Sequence, residues 1–286
     1  MKKKSIAIIM ASVLLAVLAG CGGKAEEAPA GGKDSKQTVI KVALNNVPNP
    51  PFIFKDDKDN SVGYTVDYFK ELEKKFPEYK FEYDLVDKEA QILGVDTGKY
   101  TLTGNLFKNP EREKKFHFAG KEFGYYITAL VVDKNRDDIH SLDDMGGKKL
   151  APLPIADALR SIINDYNKAH PGKEVQIEDI EKFVVGDSLK VVANGKVDAA
   201  LLNVNQFEEA NKKMQLDLKV GGIVSKEPIF LMYNKQQTEL AAEFDKATEE
   251  LLQDGTLSKL ADKWLGVDFF KDVDSVNEGY KFRQSK

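Results

Sequence analysis

The sequence predicts an α/β protein on three observations: strand-like and helix-like segments alternate from residue 39 onward, the alternation occurs twice, and both runs share one punctuation of helix, Gly-Lys and strand. Its 286 residues suffice for two cores, since domains are typically about 100 to 150 residues each.

Val39–Leu44 opens the first run, a segment whose β-branched content and lack of charge other than Lys41 predict a buried strand. The turn-rich stretch Asn45–Pro51 follows. A helix comes next, with Thr65 expected as its N-cap, Asp67 in the first turn where the helix dipole favours an anion, and Val66, Phe69, Leu72 and Phe76 at helical spacing before Pro77. A strand at Lys80–Leu85, a helix near Ala90–Asp96 and a strand at Tyr100–Leu106 complete this run. The second begins at Lys149–Leu153 and continues with a helix over Ala156–Lys168, a strand near Val175–Ile180, a helix around Ser188–Ala193 and a strand at Val197–Asn203. Gly98-Lys99 and Gly195-Lys196 occupy equivalent places. Glycine after a helix supplies the left-handed cap and lysine suits the negative helix end. Open α/β sheets bind ligands outside the carboxyl ends of their strands, so the strands after these two turns point to the site.

The first twenty residues stand apart from the fold. Lys2, Lys3 and Lys4 precede an apolar run from Ile6 to Leu18 and small residues at Ala19 and Gly20, the layout of an export signal. The tetrapeptide Leu18-Ala19-Gly20-Cys21 resembles the lipobox of bacterial lipoproteins, in which the cysteine receives a diacylglyceryl group. Cys21 is the single cysteine, which excludes an internal disulfide and a thiolate metal cluster. Acyl chains contribute about 0.8 kcal/mol per buried CH₂, so two of them anchor a domain stably. Gly22–Gln37 lacks aromatic and β-branched residues and reads as a flexible linker. Removing residues 1–20 takes away three lysines and no acid, moving the formal charge from -4 to -7. An acidic protein is a poor nucleic-acid partner.

Several segments together resemble the amino-acid-binding proteins of polar amino-acid ABC importers, solute-binding family 3. They are Pro51-Phe52, Val62–Asp67, Asn109-Pro110-Glu111-Arg112 with Phe116 and Phe118, Ser141–Lys148, Gly195–Ala199, Asp254–Leu260 and Lys263-Trp264-Leu265-Gly266. The resemblance implies a two-lobed, type II periplasmic-binding-protein fold with two hinge-crossing strands. It places the first crossing near Tyr126 and the second near Asn234, so that lobe 1 takes residues 38–126 and 236–270 and lobe 2 takes 127–235. Helices over Glu239–Leu252 and Leu257–Trp264 would return to lobe 1. The tail, 271–286, either packs on lobe 1 or hangs free.

The same resemblance implies the site. Arg112 would grip a ligand carboxylate, a role suited to a planar fork that donates two parallel charge-assisted hydrogen bonds. Phe52 would form an apolar wall, and Gly104 and Asn105 would offer hydrogen bonds. The remaining positions depart from the family pattern. Asn203 stands where an acid often pairs with the ligand ammonium, Ile155-Ala156 replaces a Gly-Ser or Gly-Thr helix start, and Asn46 and Asn49 replace an acidic and an aromatic residue. An uncompensated buried ammonium costs several kcal/mol. Either another carboxylate such as Asp157 or Asp187 serves, or the ligand is not a plain α-amino acid.

The expected function is therefore a lipid-anchored extracytoplasmic component, monomeric, that delivers an amino acid or derivative to an ABC permease, with cystine-type sulfur compounds leading. No metal or cofactor is expected. Two alternatives are a dehydratase-like enzyme on this fold and a lipoprotein adhesin or sensor partner. His117, His140 and His170 sit in no Ser-His-Asp, HExxH or nucleotide-binding pattern, which speaks against the enzyme.

Overall fold

A computed structural model describes residues 37–284 apart from residue 156, so Cys21 and Ala156 lie outside the described residues. The first run comprises β1 (Thr38–Asn45), β2 (Phe54–Lys55), β3 (Ser61–Val62), α1 (Tyr64–Lys75), β4 (Tyr79–Val86), α2 (Lys88–Asp96), β5 (Leu102–Leu106), α3 (Pro110–Lys115) and β6 (Phe116–Phe118). Strand β7 (Gly124–Asp133) leads into the second: β8 (Lys149–Leu153), α4 (Ala158–Ala169), β9 (Gln176–Asp179), α5 (Val185–Ala193), β10 (Ala200–Asn203) and α6 (Val204–Met214). Then come β11 (Leu218–Asn234), α7 (Thr238–Gln253), α8 (Thr256–Leu265) and α9 (Val273–Gln284).

Strand β1 is buried because it is central, parallel to β4 on one side and to β5 on the other. The sheet runs β10-β7-β11-β5-β1-β4, with β6 also on β11, so one strand belongs to both lobes. In the second lobe β8 pairs with β9, and an isolated bridge joins Leu150 to Ala199 beside β10. Strand β11 pairs with β7 from Leu218 to Ile229, then with β5 and β6 from Phe230 to Asn234. The two crossing strands are thus β7 and β11.

The second crossing lies near Ile229, not Asn234. Asn234 sits at the far end of the strand opposite Phe116, and its amide donates to the carbonyls of Val95 and Asp96 at 2.9 and 3.0 Å. One 17-residue strand serves both lobes, so its end is well inside the first.

Thr65 is not the N-cap of α1. Gly63 holds that place at φ 127°, where a side chain would strike the Phe52 carbonyl. The orphan N–H groups of Tyr64 and Thr65 are taken by the carbonyls of Pro51 and Phe52, at 2.9 and 3.0 Å, so no side-chain cap is needed. Gly98 and Gly195 are both left-handed, as their shared punctuation predicts. The strands after them start later than expected, because the N–H groups of Tyr100 and Lys196 bond back to Gly94 and Val191 in the preceding helices. Helix α4 likewise starts at Ala158, with the Asp157 side chain capping Leu159 N–H at 2.8 Å.

The tail neither hangs free nor simply extends the first lobe. Helix α9 covers the edge of β11 that β7 does not pair. Asn277 accepts from Ile223 N–H at 2.6 Å, Gln284 accepts from Val220 N–H at 2.9 Å, and Val276 and Tyr280 are buried. Arg283 donates both to Glu208 on α6 and to the Leu265 carbonyl that closes α8, each at 2.7 Å.

Candidate functional site

Strands β5 and β10 end at one cavity of about 510 Å³. From the first lobe it is lined by Asn45, Asn49, Gly104, Asn105, Phe107 and Arg112, with Lys88, Gln91 and Lys108 around them. Tyr126 on the crossing strand and Asn203, Asn205 and Gln206 from the second lobe complete it. Its place follows from the two Gly-Lys turns, which aim both strands at the cleft.

Arg112 is positioned by its own short helix. Asn109 caps α3 by accepting from the Arg112 N–H at 2.8 Å, while Arg112 Nη1 donates to the Phe107 carbonyl at 3.1 Å. Partial burial draws the guanidinium pKa down from its ordinary value. Among the described residues no carboxylate lies within 4.0 Å of it. A half-buried, forked donor without an acid is suited to receive a carboxylate from outside.

Gly104 and Asn105 both line the cavity. Gly104 is buried, and a Cβ there would come within 3.3 to 3.9 Å of Leu231, Phe123 and Leu44. Asn105 holds φ 59°, an uncommon left-handed conformation for a residue with a side chain, and its Oδ1 accepts from Thr65 Oγ1 at 2.8 Å. Thr65 is thereby a support for the site rather than a helix cap.

Asn203 and Asn49 also line the cleft, and each has a partner. Asn203 Oδ1 accepts from Thr128 Oγ1 at 3.0 Å. Asn49 donates to the Tyr126 hydroxyl at 2.7 Å and accepts from Asn205 Nδ2 at 2.6 Å, a chain that ties the loop after β1 to α6. Burial pushes the Tyr126 hydroxyl pKa up, against the opposing effect of the Asn49 bond.

Two expected residues are misplaced. Phe52 is 1% exposed and packs behind the wall, its ring 4.6 Å from that of Tyr126 and 6.0 Å from that of Tyr64. Its carbonyl caps α1, which turns the ring into the core, and Tyr126 and Phe107 form the aromatic wall instead. Asn46 is exposed and off the cavity. Its N–H extends the ladder to Val86 at 2.9 Å, and Asn45 faces the site in its stead.

Asn205, Gln206 and Tyr126 are additions. Asn205 and Gln206 lie in the first turn of α6, two and three residues after Asn203 closes β10, so the strand-end rule that marks Asn203 extends to the helix start that follows it. Asp157 and Asp187 do not reach the cavity: the first caps α4, and the second pairs with Lys190 at 3.0 Å.

A family model for bacterial extracellular solute-binding proteins, family 3, matches residues 40–267. The L-cystine-binding protein TcyK of Bacillus subtilis is 28% identical over 274 residues, covering 95% of this chain and 99% of the relative. A crystal structure of the probable amino-acid ABC transporter extracellular-binding protein ytmK of Bacillus subtilis superposes with a TM-score of 0.71 at 28% identity, over 82% of this chain and 100% of that one. The unliganded, open L-cystine solute receptor of Neisseria gonorrhoeae shares the fold, with a TM-score of 0.66 at 22% identity over 82% and 95% of the two chains. With β5 and β10 meeting at one cleft and the match spanning nearly all of the described fold, this chain belongs to the bacterial extracellular solute-binding proteins, family 3.

Proposed function

We propose that this chain is the lipid-anchored, extracytoplasmic component of an ABC importer, and that its cleft captures an amino acid or amino-acid derivative by the carboxylate. Cystine or a related sulfur compound leads the list, on the likeness to TcyK. The observation that carries the reading is Arg112, a half-buried guanidinium facing the cavity with no acid of its own. A bidentate bond to a carboxylate neutralises it, and Asn105, Asn203 and Asn205 supply neutral donors and acceptors around the ligand body. The lobes hinge on β7 and β11, and closure over the ligand is the state a permease would recognise. The anchor is Cys21 and the partner is a membrane permease, with the binding protein acting as a monomer.

The test is mass spectrometry of small molecules released from the purified protein, followed by titration of what is found into the Arg112→Ala variant. Bonds to a charged group are worth roughly 1.5–3 kcal/mol each, so affinity is expected to fall by about 10- to 1,000-fold. Equal binding by wild type and variant, or release only of compounds lacking a carboxylate, overturns the reading.

A further inference from the structure

The charge inside the cleft is opposite to that of the whole chain. Among the described residues three cations line it, Lys88, Lys108 and Arg112, and no Asp, Glu or His does. None of the three has a carboxylate within 4.0 Å among the described residues, although lysines elsewhere on the surface commonly do. Several acids that could have faced the cleft are engaged elsewhere. Glu111 pairs with Lys114 at 3.0 Å, Asp87 caps α2 through Ala90 N–H at 2.7 Å, and Asp157 caps α4. Lys108 is also held in place, its Nζ 3.9 Å from the centre of the Phe230 ring. The rest of the lining is amide: Asn45, Asn49, Gln91, Asn105, Asn203, Asn205 and their neighbours offer dipoles of either sense.

A free α-ammonium brought into this cleft finds no fixed negative charge, and three like charges oppose it. A second acidic group on the ligand finds two cations beyond Arg112. From this we propose that the ligand is a net-anionic amino-acid derivative, with one carboxylate on Arg112 and a second anionic group toward Lys108 and Lys88. Its amine is either blocked by acylation or offset by the ligand's own extra acid. This rests on the reading of the cleft as an amino-acid-derivative site and narrows it within the sulfur compounds: neutral cystine, with two ammonium groups, becomes a poorer ligand than an acid-bearing relative.

Isosteric probes separate charge from shape. S-carboxymethylcysteine and its amide, S-carbamoylmethylcysteine, differ by one charge at nearly equal size, and N-acetyl-S-carboxymethylcysteine removes the ammonium. Calorimetric titration of the ligand-stripped full chain in detergent is expected to show the acid binding at least about tenfold tighter than the amide, the gap narrowing as salt rises. N-acetylation is expected to leave affinity within a few-fold or raise it. Lys108→Gln and Lys88→Gln are expected to weaken the acid by about 3- to 10-fold more than the amide, at unaltered melting temperature. Asn203→Asp is expected to shift preference back toward the amide and toward cystine.

The inference falls if the amide or cystine binds as tightly as the acid. It falls equally if Lys108→Gln and Lys88→Gln together leave the acid's affinity intact. In either case, continued dependence of zwitterion binding on Arg112 leaves the proposed function standing. If no carboxylate compound of the panel binds and none is released from the native protein, both readings fall together.

Discussion

Asp67 is an acid in the first turn of a helix, a place explained by the helix dipole alone, yet its neighbours show a second role. Only 9% exposed, it accepts from Lys263 at 2.6 Å, Trp264 Nε1 at 2.9 Å and Lys70 at 2.9 Å, binding α1 to α8. Burial pushes its pKa up, but these bonds outweigh burial and hold it below the ordinary carboxylate value. A depressed folded-state pKa contributes stability that is fully present above the unfolded value of about 3.9 and is lost as pH falls through the folded value. Asp67→Asn is therefore expected to destabilise the protein by roughly 1–3 kcal/mol at neutral pH. The gap from wild type should close as pH drops below about 4, and urea melts across pH 3 to 7 read it directly. A gap that persists unchanged at the acid end counts against the ionised pairing.

At the scale of elements, the C-terminal helix is the part whose role sequence leaves open, since Phe269, Phe270 and Tyr280 among charges fit either packing or exposure. Strand β11 settles it by presenting an edge. Its N–H groups at Val220 and Ile223 point away from β7 and are satisfied by Gln284 and Asn277, side chains that no helical periodicity marks. Tyr280, 2% exposed, closes the apolar contact. Its replacement by alanine is expected to cost about 3–5 kcal/mol, as for other large buried aromatics, seen as a lowered urea midpoint with little change in ligand affinity. Loss of affinity in proportion to stability would instead make α9 part of the binding apparatus. Elsewhere the elements were legible: the β-branched run of β1, the apolar stripe of α1 and the two left-handed glycines are local signals. Thr65 is not the cap that its residue type predicts, because the first N–H groups of α1 are satisfied by carbonyls of a different segment, Pro51 and Phe52.

For the whole molecule, two connecting strands and a cleft between lobes imply motion. Addition of a tight ligand is expected to lower the radius of gyration in small-angle scattering, and at a free concentration of 100 times Kd to add about 2.7 kcal/mol of stability. An unchanged scattering curve at saturation would count against hinge closure. On the proposal that Cys21 carries a lipid, Cys21→Ser is expected to move the protein from the membrane fraction to the soluble fraction with its affinity intact, because the cleft is built from residues after 37.

The sequence by itself determined the α/β class, the pair of Gly-Lys turns, and through them the strand ends that carry Gly104, Asn105 and Asn203, together with Arg112 in its capped loop. These are readings over a few residues, where backbone preference and spacing suffice. Tertiary structure decided which side chains line the cavity: Asn45 rather than Asn46, and Tyr126 with Phe107 rather than Phe52. It alone showed that Asn49 meets Tyr126 and Asn205, 77 and 156 residues away. The cationic character of the cleft belongs to the same category. Acids flank Lys88 and Arg112 in the chain, and only the fold, with Asp87 capping α2 and Glu111 paired to Lys114, leaves the three cations together with no carboxylate within 4.0 Å among the described residues.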